Sequence, residues 1–108
     1  MQTRFNLSAL EYAEMRRAGT PHTLIDVREP WEYALARIEG SLLRPLGEIE
    51  HWASELDREA SYVLLCHHGV RSAAACQYLR FLGFRNVLNL DGGIDAWSRR
   101  VDPSIRRY

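Results

Sequence analysis

Tyr62-Val63-Leu64-Leu65-Cys66-His67-His68-Gly69-Val70-Arg71-Ser72 holds a strand end, a tight loop and a helix start in one short run. Tyr62 to Leu65 is apolar, rich in strand formers and bounded by turn residues, so it reads as a buried parallel strand. Ser72 to Leu82 has high helix propensity and stops at Gly83, the residue type that most readily takes the left-handed conformation of a helix end. Cys66 therefore falls where unpaired backbone N–H groups and a helix dipole stabilise negative charge. With Gly69 in its middle, the loop can curl so that the amides from His67 to Arg71 point at one spot, an anion nest. His67, His68 and Arg71 add donors and positive charge around the sulfur. That suits a nucleophile that holds or attacks a sulfur or phosphorus atom bearing anionic oxygens. A purely structural buried cysteine, the usual fate of a lone one, has no use for such a run.

The flanking sequence repeats the strand and helix alternation. Ser8 and Glu11 form a capping box, with Leu7 and Tyr12 placed as a staple, so a helix is predicted from Ala9 to about Ala18, stopped by Gly19. Thr20-Pro21 turns the chain and His22 to Val27 returns as a strand with Leu24, Ile25 and Val27 in the core; His22 reads as a surface turn residue. Asp26 and Arg28 fall at the carboxyl end of this strand, the edge where open parallel sheets place ligands. Pro30 suits the first position of a short helix to about Ala36. Ser41 to Leu43 reads as a short strand ended by Pro45. Glu48 to Leu56 follows as an amphipathic helix with Ile49, Trp52, Ala53 and Leu56 inward; Glu48, Glu50 and Glu55 form a solvated face and His51 has no evident partner. Asn86 to Leu90 is a further strand, and Asp91-Gly92-Gly93 turns it into a helix through Trp97. The two glycines allow a close backbone approach, expected against the Cys66 loop. The alternation implies an α/β layer fold with a mostly parallel sheet of about five strands and helices on both faces.

Composition narrows the classes of function. The 108 residues make one domain, 1–108, without repeat or linker. Charge is balanced, 14 basic against 14 acidic residues, so neither nucleic acid nor an anionic membrane is implied as partner, and attraction for anions must be local. All the basic residues are Arg, which excludes a lysine Schiff base. Met1 to Phe5 lacks the apolar run of a signal peptide and no window reaches membrane-span length, which predicts a cytoplasmic location. Cys66 and Cys76 are placed too far apart for a disulfide. No regular His/Cys ligand spacing is present, and adjacent His67 and His68 rarely converge on one ion, so no metal is expected.

Cys66-x-x-Gly69-x-Arg71-Ser72 resembles the active-site loop of the rhodanese sulfurtransferases. Ile25-Asp26-Val27-Arg28 followed by Glu32-Tyr33 is similar to that family's I-D-V-R-x-x-x-E-[FY] signature, and Gly92-Gly93-Ile94-Asp95-Ala96-Trp97 to its G-G-x-x-A-W signature. The three occur in the family's order across nearly the whole chain. The resemblance implies a rhodanese-like three-layer fold and a thiosulfate sulfurtransferase that needs no cofactor. It implies Cys66 as the catalytic nucleophile that becomes a persulfide, with His67, His68, Gly69, Val70 and Arg71 binding the donor. It gives Asp26, Arg28 and Ser72 supporting roles, the first two chiefly as organisers of loops. The implied partners are a small anionic sulfur donor and a thiol, cyanide or protein acceptor. One departure is Arg37, where the family usually carries His. The segment from Arg99 to Tyr108 is expected as an irregular strap. Two other classes compete. Related phosphatases and arsenate reductases also use a cysteine loop, but with five residues between Cys and Arg, whereas only His67 to Val70 separate them here. A persulfide-carrying or regulatory binding module is the second alternative.

Overall fold

A computed structural model describes residues 4–108; Met1 to Thr3, part of the segment read for a leader, lie outside the described residues. Strands β1 (Asn6–Leu7), β2 (Thr23–Asp26), β3 (Leu42–Leu43), β4 (Ser61–Leu65) and β5 (Asn86–Leu90) alternate with helices α1 (Ala9–Arg17), α2 (Pro30–Leu35), α3 (Ile49–Ala53), α4 (Val70–Phe81) and α5 (Gly93–Arg100). All the strands pair parallel in the order β1-β5-β4-β2-β3. The strand that leads into Cys66, β4, is thus central. Register places Asp26 beside Leu65, so the carboxyl ends of β2 and β4 lie level.

Pleating divides the buried residues between two faces. Leu24, Val63, Leu65 and Leu90 pack with Ala9 and Tyr12 of α1 and with Ile94 and Trp97 of α5. Ile25, Tyr62, Leu64 and Val87 pack on the other side with Trp52 of α3 and with Ala75, Cys76 and Leu79 of α4. Leu64 and Leu65 are both fully buried, each worth about 2 kcal/mol of removed apolar surface, which anchors the last turn before Cys66 from both sides. The fold is therefore three-layered, α/β/α, as the sequence implies.

Local signals account for most boundaries. The Ser8–Glu11 capping box forms, and Gly19 takes a φ of 71° after α1. Pro30 opens α2, where the Glu32 side chain reaches back to accept from Glu29 N at 3.0 Å, a cap that the sequence reading did not anticipate. The helix expected over Glu48 to Leu56 is shorter: a 3-10 turn at Leu46–Glu48 precedes α3, and Trp52 Nε1 donates to the Pro45 carbonyl at 2.8 Å, tying the helix to the turn. One strand that the sequence reading did not place is added, and one expectation is corrected. β1 has no periodicity to detect, yet backbone bonds from Asn89 N to Phe5 O and from Asp91 N to Leu7 O seat it on β5. His22 is no idle turn residue, for its Nε2 lies 2.7 Å from the Tyr12 hydroxyl and its Nδ1 2.8 Å from the Thr20 carbonyl. His51 faces Glu55 across one exposed helical turn at 3.9 Å, a pair of little energetic weight.

Candidate active site

Cys66 follows the last residue of β4 and α4 begins at Val70, so the loop is Cys66-His67-His68-Gly69. Gly69 caps the helix with a φ of 101°, a left-handed conformation that a side chain would strain, and a Cβ there would meet Gly92 N at 3.1 Å. The Cys66 side chain is 1% exposed. Its Sγ accepts from Gly69 N at 3.0 Å and Ser72 N at 3.4 Å, with Ser72 Oγ also at 3.4 Å. These two amides come from the two ends of the turn, before and after the first residues of α4. The Ser72 hydroxyl proton is directed at Asn89 Oδ1, which leaves an oxygen lone pair facing a protonated sulfur and a proton able to swing toward an ionised one.

The carbonyls on the other side of the loop are held by α5. Ile94 N donates to Cys66 O at 2.9 Å and Asp95 N to His67 O at 3.1 Å. The approach is possible only because Gly93 has no side chain: a Cβ there would lie 2.4 Å from Cys66 O and 2.5 Å from His67 O. Asn89 completes the brace, its Nδ2 donating to Gly69 O at 3.2 Å and to Asn6 Oδ1 at 3.0 Å. The expected contact of the paired glycines with the loop is thus present. Asn89 was missed, although a polar residue at an inward position of Asn86-Val87-Leu88-Asn89-Leu90 signals a buried partner.

Arg71 does not lie free beside the sulfur. Its Nη1 and Nη2 make a two-pronged bridge to Glu32 Oε1 at 2.7 Å and Oε2 at 2.9 Å. Glu32 also accepts from Glu29 N at 3.0 Å and from the Tyr108 hydroxyl at 2.8 Å. With the Arg71 guanidinium as the chief cause, its carboxyl is pulled down to about 2, while Arg71 is held still more firmly charged by Glu32. Asp26 and Arg28 are wholly buried and do not touch Cys66. Arg28 Nη2 lies 2.6 Å from Asp26 Oδ2, and the guanidinium also donates to the carbonyls of Glu32 and Ala36 and, at 2.7 Å, to the Tyr108 hydroxyl. Burial is the largest single influence and opposes the Arg28 charge, but the hydrogen bonds and charge of Asp26 together with Tyr108 outweigh it. Such a pair adds little net stability; it fixes the loops after β2 and α2 in one arrangement. Arg37 lies with its guanidinium over the Tyr33 ring, 4.9 Å from the centroid.

His67 is sandwiched. Its ring stacks on Tyr108 at 3.9 Å and 8° and on His68 at 3.9 Å and 29°. Burial, then the neighbouring His68, pushes the His67 imidazole below its usual value. Its Nε2 is buried without a hydrogen-bond partner among the described residues. His68 and Val70 are exposed. Contrary to the expectation that the histidines would not converge, His67, His68 and Asp95 each bring one donor atom within 4.8 Å of the others. Asp95 is already engaged: Oδ2 accepts from Arg99 Nε at 3.0 Å and Oδ1 from Arg107 Nε at 3.1 Å, so a cation would have to enter against two guanidiniums. Cys76 faces the sheet from α4, fully buried, and both cysteines are free. Glu32 and Tyr108 were not singled out from sequence; Glu32 stood inside a recognised motif, but Tyr108 carried no signal at all. Among the described residues, no helix is long and apolar enough to cross a membrane.

The profile of the rhodanese-like domain matches residues 8–100. A sulfurtransferase of Allochromatium vinosum is 40% identical over 96 residues, covering 88% of this chain and 90% of that protein. The rhodanese-like/PpiC domain-containing protein 12 of Arabidopsis thaliana, a chloroplastic protein, is 43% identical over 89 residues, 79% of this chain, which spans only 30% of that relative's length. Among solved structures, a rhodanese-related protein from Thermoplasma volcanium superposes with a TM-score of 0.82 at 33% identity, over 96% of this chain and 99% of that one. The profile covers most of the sequence and the cysteine loop stands at the carboxyl edge of the matching sheet. The chain belongs to the rhodanese-like domain family, which includes sulfurtransferases.

Proposed function

We propose that the protein is a thiosulfate-type sulfurtransferase in which Cys66 carries the sulfur. The observation that supports this best is the small ring between Cys66 and Arg71, which brings Gly69 N and Ser72 N within reach of one sulfur atom. The Cys66 thiolate attacks the outer sulfur of thiosulfate; a sulfur–sulfur bond forms, the bond from that sulfur to the sulfonate breaks, and sulfite leaves with the electron pair. The persulfide then gives its terminal sulfur to a nucleophilic acceptor such as cyanide, a small thiol or a protein thiol, and the Cys66 thiolate is restored. The N–H groups of the loop stabilise the anionic terminal sulfur, with His67, His68, Gly69, Val70 and Arg71 as the donor-binding wall. Ser72, with its amide and hydroxyl beside Sγ, supports the nucleophile directly; Asp26 and Arg28 support it at a distance. A tetrahedral phosphate needs room for three peripheral oxygens, which a ring with four residues between Cys66 and Arg71 supplies less well.

Incubation with thiosulfate should add one sulfur, about 32 Da, at Cys66 and at no other residue, and cyanide should remove it. Intact-mass measurement checks this. Persistence of the adduct or of turnover in Cys66→Ser would sink the assignment, as would turnover of a phosphate ester by the intact protein.

A further inference from the structure

We propose that Tyr108 is a positioning residue for the Cys66 loop, acting through Glu32 on Arg71, and that it thereby sets how strongly the loop favours an anionic sulfur donor. The Tyr108 hydroxyl stands between two ion pairs that the sequence separates widely. It accepts from Arg28 Nη1 at 2.7 Å and donates to Glu32 Oε2 at 2.8 Å, while Arg71, from the first turn of α4, clasps the same carboxylate with both terminal nitrogens. The ring is held in place on one face by His67 of the loop, stacked at 3.9 Å, and meets Trp31 edge to face at 6.1 Å. The hydroxyl therefore has little freedom to go elsewhere.

The electrostatic consequence has a definite sign. Glu32 is almost fully buried, so its negative charge is shared out among few donors: Arg71, the Glu29 amide and Tyr108. Each donor removed leaves more of that charge uncompensated and turned toward Arg71, the cation nearest the loop. Without the hydroxyl, the net potential at Cys66 becomes less positive and an approaching anion gains less. Tyr108 itself touches neither the sulfur nor its amide donors; its ring meets the loop at His67, and its hydroxyl acts on Arg71 through the shared Glu32 carboxylate.

The inference rests on Cys66 as the reacting sulfur in the proposed function, and a test by alkylation keeps the two separable, since it reads that sulfur whatever its natural donor. Rates of Cys66 alkylation by iodoacetate, an anion, and by iodoacetamide, its neutral counterpart, are measured on the full chain; their ratio cancels general accessibility. In Tyr108→Phe, which keeps the ring stack, the ratio should fall about threefold, on the scale of one charge-assisted hydrogen bond acting at a distance. In a Glu32→Gln background the same substitution should leave the ratio unchanged, because the path runs through that carboxylate. A wild-type ratio in Tyr108→Phe, or an equal fall with and without Glu32, would overturn the proposal and leave Tyr108 as packing alone. If Glu32→Gln does not fold, the Tyr108→Phe ratio by itself decides.

Discussion

Cys66 and Cys76 show how position, not residue type, sets reactivity. Both are almost wholly removed from solvent, but Cys66 has amides and a hydroxyl around its sulfur, whereas Cys76 lies among Ala75, Leu79 and Val87. Burial pushes the Cys76 thiol up to about 12. A maleimide at pH 8 should therefore label Cys66 and reach Cys76 only after unfolding, as peptide mapping would show. Cys76→Ala should retain most sulfur transfer and lose about 1 kcal/mol of stability in urea titration, the scale of a small side-chain truncation in a packed site. His67 offers a second reading at this scale. Because burial disfavours its charged form, its ring-proton NMR titration should have a midpoint below the usual 6.5. An unfolded chain then binds the proton more readily than the folded one, so this residue's contribution is complete above about pH 6.5 and declines as the pH falls below it. A midpoint above 6.5 would mean that Glu32 and Asp95 dominate the ring's surroundings.

At the scale of elements, the Cys66 loop is shaped less by its own residues than by the start of α5. Two amides of α5 hold the loop carbonyls, and Gly93 supplies both the clearance and the φ of 60°. Gly93→Ala would press a methyl group against two backbone oxygens, neither of which can turn aside as a side chain would. A loss of about 3 kcal/mol or more is expected, from left-handed strain and backbone displacement together. Urea unfolding measures it, and persulfide formation should fall with it, since the loop amides lose their aim. Gly40→Ala makes the control: its φ of 88° carries similar strain, but a Cβ there meets nothing within 4 Å, so stability should drop less and the Cys66 loop should keep its rate.

For the molecule as a whole, buried charge between β2, α2, α4 and Tyr108 couples the active edge to acid stability. Glu32 is brought down to about 2, first by Arg71 and then, against the cost of burial, by Glu29 N and Tyr108. A carboxylate depressed in the folded state contributes stability that is complete above its unfolded value near 4.5 and is lost as pH falls toward about 2. Solvent reaches Arg71, which is 36% exposed, so the contribution at neutral pH is put at about 2 kcal/mol rather than the larger figure a sealed pair would give. Chemical denaturation at pH 7 and pH 3 should show the protein losing stability between them, with a shallower loss in Glu32→Gln. An equal loss in that variant would place the acid sensitivity elsewhere.

Periodicity and local stereochemistry alone specify the strand at Ser61–Leu65, the capped helix at Ala9–Arg17, the left-handed turns at Gly69 and Gly83, and the placing of Cys66 between strand and helix. These are nearest-neighbour properties, and each is written in a few consecutive residues. The rhodanese-like resemblance rested on the same local runs. Other features depend on residues far apart in the chain and were decided only when it folded: the seating of two-residue β1 on β5, the diversion of Arg71 onto Glu32, the brace from Asn89 to Gly69, and Tyr108 against His67. A residue's own sequence shows whether it can donate, accept or stack. Which partner it finds is set by the parallel sheet, whose crossovers bring the ends of β2, β4 and β5 to one edge and leave the segment after α5 to close over it. Arg71 illustrates the difference. Its charge was legible from the letter in the sequence, but how much of that charge reaches an incoming anion depends on a buried carboxylate 39 positions away.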